Sequence, residues 1–234
     1  MEYEIKNAPL TVLICKLAQG EAIECQKGAM SWMTPTMEMQ TGLGGDGSGG
    51  IMGALGKIAK SKLTGESIFR NTYTALTGAG EIAFASSFPG NIIAFDTTAS
   101  PIIAEKSAYL ANTPGVTMDI FFQKKIGAGF FGGEGFIMQK FYGQGMVFLE
   151  INGCVCEYNL GPGESMLVDT GYLAAMEATC SMDIETVKGI GNALLGGEGF
   201  FNTKVTGPGR IWLQSMPAVA LASAVDPYIT PKGN

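Results

Sequence analysis

The sequence contains no histidine. This absence removes the commonest general base, the Ser-His-Asp and Cys-His nucleophilic arrangements, and most zinc and non-haem iron sites. The five cysteines are an odd number, which favours reduced cytosolic thiols over a disulfide framework. No motif offers catalytic residues, metal ligands or a cofactor site, and we expect a protein that is not an enzyme.

Charge is also scarce, at 15% of the residues, and the net charge is −6. No basic stripe is visible, so we expect no nucleic-acid partner. The start of the chain, Met1 to Glu4, is acidic, unlike a secretory signal, and no apolar run approaches the roughly 18 residues of a membrane span. These features predict a cytoplasmic protein whose apolar surface is buried between subunits or lies against an apolar partner.

Glycine, in contrast, is abundant, and a longer pattern that opens on Gly-Glu occurs three times. The copies begin at Gly65, Gly133 and Gly197, which are 68 and 64 residues apart. Each continues with bulky apolar residues, a polar alternating run, a Gly-x-Gly turn and an apolar alternating run, which is the pattern of a β-hairpin. Such internal repetition predicts tandem all-β units.

Acidic landmarks accompany the repeat. Apolar-acid-apolar triplets lie upstream of the three copies, centred on Glu38, Asp119 and Asp183. We expect these acids to be solvated or paired with Lys124, Lys125 or Lys188. The repeated glutamates of the Gly-Glu motif are candidate site residues, because a ring of carboxylates can gather cations or raise its members' pKa values. The alternative is that each accepts backbone N–H bonds in a turn. These candidates are Glu66, Glu134 and Glu198.

Short strands are predicted along most of the chain. We expect an opening strand pair broken near Pro9, strands between residues 22 and 41, and a final strand over 218–224. Residues 146–158 predict a hairpin about Asn152-Gly153, a favoured turn pair. Cys154 and Cys156 alternate within it, and we interpret them as part of a core strand rather than as a metal site.

The first copy carries a glycine-rich insertion, residues 42–64, which adds about 13 residues relative to the other copies. Within it, apolar and basic residues at helical spacing predict an amphipathic helix that contacts a membrane surface or a protein partner. The alternative is a glycine-rich loop with a short packing helix. The candidate residues are Ile51, Leu55, Lys57, Ile58, Lys60 and Lys62.

The stretch GESIFRNTYT at 65–74 and the Gly-Glu-Gly-Phe copies resemble the altered-inheritance-of-mitochondria family, from about Tyr3 to Val225. The resemblance implies an all-β chain of three tandem TRAP-like β-sandwich units, pseudo-threefold within the chain (TRAP is the tryptophan-binding RNA attenuation protein). Each unit is a short relative of the double-stranded β-helix. The predicted units are residues 1–87, with the 42–64 insertion, 88–158 and 159–226, followed by a tail at 227–234.

Family members look like trimers whose nine units close a ring, and mitochondrial relatives are linked to inner-membrane organisation. The resemblance therefore predicts a non-enzymatic, ring-forming structural or interaction protein, a homotrimer whose partner is another protein or a membrane surface. Ring closure would also cover the open sheet edges at the two ends of a three-unit chain. Two alternatives stay open: a small-ligand-binding ring with sites between adjacent β units, and an enzyme that uses carboxylates alone.

Overall fold

The computed structural model describes residues 1–6, 10–43, 69–124, 135–186 and 201–229. The all-β prediction is confirmed over these residues, which form nineteen strands in antiparallel sheets. After β1 (Glu2–Lys6), the strands fall into three sets of six. The first set is β2 (Val12–Leu17), β3 (Ala22–Gln26), β4 (Trp32–Met33), β5 (Met37–Leu43), β6 (Phe69–Ala75) and β7 (Gly80–Ala85).

The second and third sets repeat this order. The second is β8 (Gly90–Asp96), β9 (Ile102–Glu105), β10 (Tyr109–Asn112), β11 (Val116–Lys124), β12 (Phe136–Gly143) and β13 (Met146–Asn152). The third is β14 (Val155–Leu160), β15 (Ser165–Asp169), β16 (Leu173–Glu177), β17 (Ser181–Thr186), β18 (Phe201–Thr206) and β19 (Gly209–Gln214).

Each six-stranded sheet combines strands from two successive sets. Sheet 2 has the order β5-β6-β3-β10-β13-β8, and sheet 3 has the order β11-β12-β9-β16-β19-β14. In both sheets the second strand of one set pairs with the third strand of the next, and we call this pairing a set junction. The first set junction is β3–β10 and the second is β9–β16.

The other two sheets each contain half of that order. Sheet 1 is β1-β2-β7-β4, and sheet 4 is β15-β18-β17. Sheet 1 therefore ends on the third strand of a set, and sheet 4 ends on the second strand of a set. In the part of the chain that the structure describes, neither of these terminal strands takes part in a set junction.

The predicted hairpins at the Gly-x-Gly turns are wrong. The strands on either side of each turn are β6 and β7, β12 and β13, and β18 and β19, and in all three cases they belong to different sheets. Alternation shows only that a strand has one buried face, and it does not name the strand's partner. The glycines are needed because the turn crosses between sheets in close contact: a Cβ on Gly209, where φ is +144°, would lie 2.5 Å from Thr179 Oγ1.

Two further strand predictions are also corrected. Asn152-Gly153 does not close a hairpin over 146–158, since β13 belongs to sheet 2 and β14 to sheet 3. The segment predicted as a final strand is an α-helix, α1 (Ala218–Val225). Its sequence AVALASAV is rich in alanine, the strongest helix former, and Pro217 immediately precedes its first turn. The opening strand pair is confirmed as β1 and β2.

The chain forms two compact units. The first contains Met1–Ala99, Tyr109–Met118 and Phe141–Glu150, and the second contains Ser100–Ala108, Asp119–Lys140 and Ile151–Asn234. Each unit has its own apolar core: Leu13, Cys15 and Leu17 alternate into the first, and Val205 and Ile211 lie in the second. The unit boundaries expected from the sequence, 1–87, 88–158 and 159–226, stay a prediction.

Candidate functional site

All of the site residues proposed from the sequence lie outside the described residues. This holds for the repeated carboxylates Glu66, Glu134 and Glu198, and for the candidate helix residues Ile51, Leu55, Lys57, Ile58, Lys60 and Lys62. Their roles stay predictions. Among the described residues, the candidate sites are the two set junctions and the two sheet edges, β4 and β15, that take part in no set junction.

The first set junction contains a buried polar network. Strand pairing places Asn112 of β10 opposite Glu24 of β3. The Arg70 guanidinium, on β6, lies 2.8 Å from Glu24 Oε2 through Nη1, which also donates to Asn112 Oδ1 at 3.5 Å. Tyr109 donates its hydroxyl to the same Asn112 oxygen at 2.5 Å, and Asn112 Nδ2 lies 3.3 Å from Glu24 Oε2. Four polar side chains from three strands thus bond to one another across the junction.

Burial fixes the chemical state of this network. Asn112 is 0% exposed and Arg70 is 8% exposed. Burial raises the pKa of Tyr109, so its hydroxyl stays protonated and remains a donor at neutral pH. Arg70 Nε is buried and has no hydrogen-bond partner among the described residues. A buried donor without a partner costs free energy, which offsets part of what the network's hydrogen bonds contribute to stability.

The second set junction has the same geometry with apolar side chains. Register places Met176 opposite Ile103, as Asn112 is opposite Glu24. The third strands also break register at the same place against the sixth strands of their own sets, after Tyr109 in the β10–β13 pair and after Leu173 in the β16–β19 pair. Counted from the Gly-Glu motif, Met138 stands where Arg70 does. The four apolar counterparts Ile103, Met138, Leu173 and Met176 are each 0% exposed.

The two sheet edges without a junction carry large exposed apolar side chains. Trp32 of β4 is 49% exposed, and Leu167 of β15 is 60% exposed. The strand partners define their equivalents. Trp32 is equivalent to Ala111 of the first junction, because each pairs with the same position of a sixth strand, Ala83 in β7 and Phe148 in β13. Leu167 is equivalent to Glu24, because each pairs with the same position of a fifth strand, Lys204 in β18 and Thr72 in β6. Residues at these positions in the first two junctions are buried or half-buried, so the exposed pair marks two halves of an unmade junction.

The CxC pair does not lie in a core strand as expected. Cys154 and Cys156 are both exposed, whereas Cys15, Cys25 and Cys180 are buried. Cys156 belongs to β14, the edge strand of sheet 3, in which four consecutive residues are exposed, and Cys154 lies just before that strand. Burial raises the pKa of Cys15 and of Cys25 to about 12. In the described part of the chain no group of three or more metal-ligating side chains is present.

The acidic landmarks are exposed, as expected, but they are not one threefold set. Turn hydrogen bonds from Met37, Val116 and Cys180 to the residues three positions earlier align the three turns. In that alignment Asp119 and Asp183 are equivalent, and the residue that corresponds to them in the first set is Gln40 rather than Glu38. The sequence triplets matched by chance at a spacing two residues out of register.

Sequence reasoning missed the polar network and the open edges. A signal for the network was available, because alignment of the Gly-Glu copies sets Arg70 beside Met138 and Asn202. A charged residue at a position that is uncharged in the other two copies indicates an ion-pair partner elsewhere in the chain. The partners Glu24 and Asn112 are not identifiable in this way, since they come from two different strand sets.

These features define an all-β repeat protein whose two six-stranded sheets are each built from two successive strand sets. A family model described as mitochondrial biogenesis AIM24 matches residues 3–216, and the chain belongs to this family. An uncharacterized protein of Streptococcus pyogenes serotype M6 is 30% identical over 221 residues, which cover 93% of this chain and 86% of that protein. The family resemblance inferred from the repeat is therefore confirmed.

A solved structure shares the fold. The crystal structure of a Streptococcus pyogenes protein superposes with a TM-score of 0.79 at 24% sequence identity, covering 97% of this chain and 99% of that one. Among the described residues, no helix has the length and apolar character required to cross a bilayer.

Proposed function

We propose that the protein is a non-enzymatic structural or interaction protein that assembles head-to-tail into a ring of three chains. The observation that carries this proposal is the complementarity of the two half-sheets. Sheet 4 supplies the half with a free second strand, and sheet 1 supplies the half with a free third strand. Joined through β15 and β4 of another copy, they make the same six-strand order as sheets 2 and 3, extended by β1.

The register of the proposed junction follows from the two junctions inside the chain. Ala111 is opposite Cys25 and Asn112 is opposite Glu24. The equivalent positions place Trp32 of one copy opposite Val168 of the next, and Met33 opposite Leu167. This pairing buries apolar side chains that a single chain leaves in water, and such burial is the dominant favourable contribution to association.

A contact between two different surfaces must either close into a ring or grow into a filament. The proposed closure is at three chains, which brings nine strand sets together. The absence of histidine from the chain supports a non-enzymatic role. The proposed external partner is a protein or a membrane surface contacted by residues 51–63, which lie outside the described residues.

Native mass tests the assembly. We expect three times the 24.5 kDa chain mass for the wild type. Leu167→Glu places a carboxylate on β15, and Trp32→Glu places one on β4. Because burial of an unpaired carboxylate in the junction is costly, each variant alone should be a folded monomer. Leu76→Glu, at another exposed apolar residue, is the control and should stay trimeric. A monomeric wild type would contradict the proposal.

Mixing the two variants tests the head-to-tail direction. Leu167→Glu retains an intact β4, and Trp32→Glu retains an intact β15, so one good junction remains between them. We expect a 1:1 dimer that does not grow further. If the mixture stays monomeric while the wild type is trimeric, the contact uses other surfaces.

Flotation with anionic liposomes tests the membrane contact. The intact chain should float and a chain without residues 43–63 should not. Equal behaviour of the two would point to a protein partner.

A further inference from the structure

The three junctions occupy equivalent positions but differ in chemistry. The first is polar, with Arg70, Glu24, Asn112 and Tyr109 bonded to one another. The second is apolar, and the proposed junction between copies has Met33 opposite Leu167 and carries no charge at these positions, with Asn202 where the first junction has Arg70. We propose that the polar network is a pairing code that reserves β3 for β10 and prevents β4 of another copy from joining it. This inference rests on the proposed assembly through β4.

The fold itself does not require the network. Ile103, Met138, Leu173 and Met176 fill the same positions at the second junction with no exposed surface. A buried ion pair often contributes no more stability than apolar side chains of similar volume. The unpartnered Arg70 Nε agrees with this, since it is a cost that an apolar filling avoids. A feature that does not add stability can still select between partners.

Substitution of one third strand for another shows how the selection works. If β4 took the place of β10 on β3, Met33 would stand where Asn112 stands. Glu24 and Arg70 would then lose their amide partner, and the Tyr109 hydroxyl would be absent. If instead β10 joined β15, the buried amide of Asn112 would face Leu167. Both wrong pairings separate Asn112 from Glu24, whereas the correct pairings keep this polar pair together and place the apolar Met33 opposite the apolar Leu167.

The selection matters because β4 is the free strand. In the described chain, β3 and β9 are already occupied, but an edge strand of another copy competes for any second strand that it fits. Such exchange would join chains through the wrong set and make assemblies of mixed size. Because the first junction is polar, it is closed to the apolar β4.

The direct test introduces the polar residues at the proposed junction. Leu167→Glu with Asn202→Arg copies Glu24 and Arg70 to that junction, and we expect the chains to associate at least tenfold more weakly. Met33→Asn alone should also weaken association. Combined, the three substitutions should recover most of the loss, in native mass measured over a concentration series. A combined variant that is as weak as the sum of its parts would overturn the proposal.

Removal of the code is the second test, and it does not depend on the first. The chain with Glu24→Ile, Arg70→Met, Tyr109→Leu and Asn112→Met carries the second junction's residues at the first. We expect it to fold and to form assemblies of mixed mass. Met138→Leu with Met176→Leu, an apolar exchange at the second junction, is the control and should leave the mass unchanged. A four-residue variant as uniform as the wild type would overturn the pairing code.

The outcomes separate the code from the proposed ring. If the wild type is monomeric, the ring proposal fails, and the four-residue variant still decides the code. Masses above one chain in that variant would support the code, since removing the network would then have opened β3 to another copy. A monomeric variant would refute it.

Discussion

Loss of Arg70 alone should destabilise the protein more than replacement of the whole network around it. Arg70→Met removes the 2.8 Å ion pair and leaves Glu24 with only the amide of Asn112 at 3.3 Å. Loss of one partner from a fully buried pair costs about 3–5 kcal/mol. The Glu24 side chain is 25% exposed, so water screens part of this cost, and we expect about 2–3 kcal/mol.

The four-residue replacement Glu24→Ile, Arg70→Met, Tyr109→Leu and Asn112→Met should behave differently. It removes both charges together with all of their hydrogen-bond partners. In their place it introduces the four apolar side chains that the chain already packs at the second junction. We expect its free energy of unfolding to lie within about 1 kcal/mol of the parent or above it. We therefore expect Arg70→Met alone to lower the free energy of unfolding more than the four-residue replacement, although that replacement includes Arg70→Met.

The assay is urea unfolding at neutral pH, followed by circular dichroism and by tryptophan fluorescence. All variants are made in the Trp32→Glu background, which we expect to be monomeric and in which β4 cannot join β3 of another copy, so that the free energy of unfolding does not depend on assembly. The reasoning is refuted if the four-residue replacement is as destabilised as Arg70→Met, because the network would then be a requirement of the fold.

Two further predictions concern single groups. In the native protein a thiol reagent should modify two of the five cysteines, the exposed Cys154 and Cys156, and all five after denaturation; fast reaction of a third would contradict the described burial. Burial raises the pKa of Glu105, whose carboxylate accepts hydrogen bonds from Ser107. The folded state therefore holds this proton more tightly, and its contribution to stability declines as pH rises through the folded pKa. Glu105→Gln should flatten the decline of unfolding free energy with rising pH above about pH 4, the ordinary range of a glutamate, and an unchanged slope would contradict the assignment.

Much of the local structure was accessible from the sequence. Alternation placed the strands, as in β2, where Leu13, Cys15 and Leu17 enter the core. The Gly-Glu copies identified the repeat, and the quoted stretches identified the family, because both signals lie within continuous segments. The final segment was an exception: its apolar run was read as a strand, but α1 exposes most of its residues and follows the helix preference of alanine.

Strand partners were not accessible in the same way. A Gly-x-Gly turn between two alternating runs describes a hairpin and a crossing between sheets equally well, and the choice depends on what packs against the turn. Gly143 illustrates this: its φ is +106°, and the next residue, Gln144, donates its N–H to Gly115 O at 3.1 Å. That contact joins two turns, one before β11 and one before β13, and no local pattern encodes it.

The sequence by itself therefore determined the strands, the repeat and the family, since each depends on residues close together in the chain. Only the tertiary structure decided that each six-stranded sheet joins halves of two successive sets and that Arg70, Glu24 and Asn112 meet. It also decided that, among the described strands, β4 and β15 are left as complementary edges. These features depend on hydrogen bonds between strands far apart in sequence. The alternation of apolar and polar residues identifies a strand and its buried face, but it does not identify which other strand pairs with it or in which register.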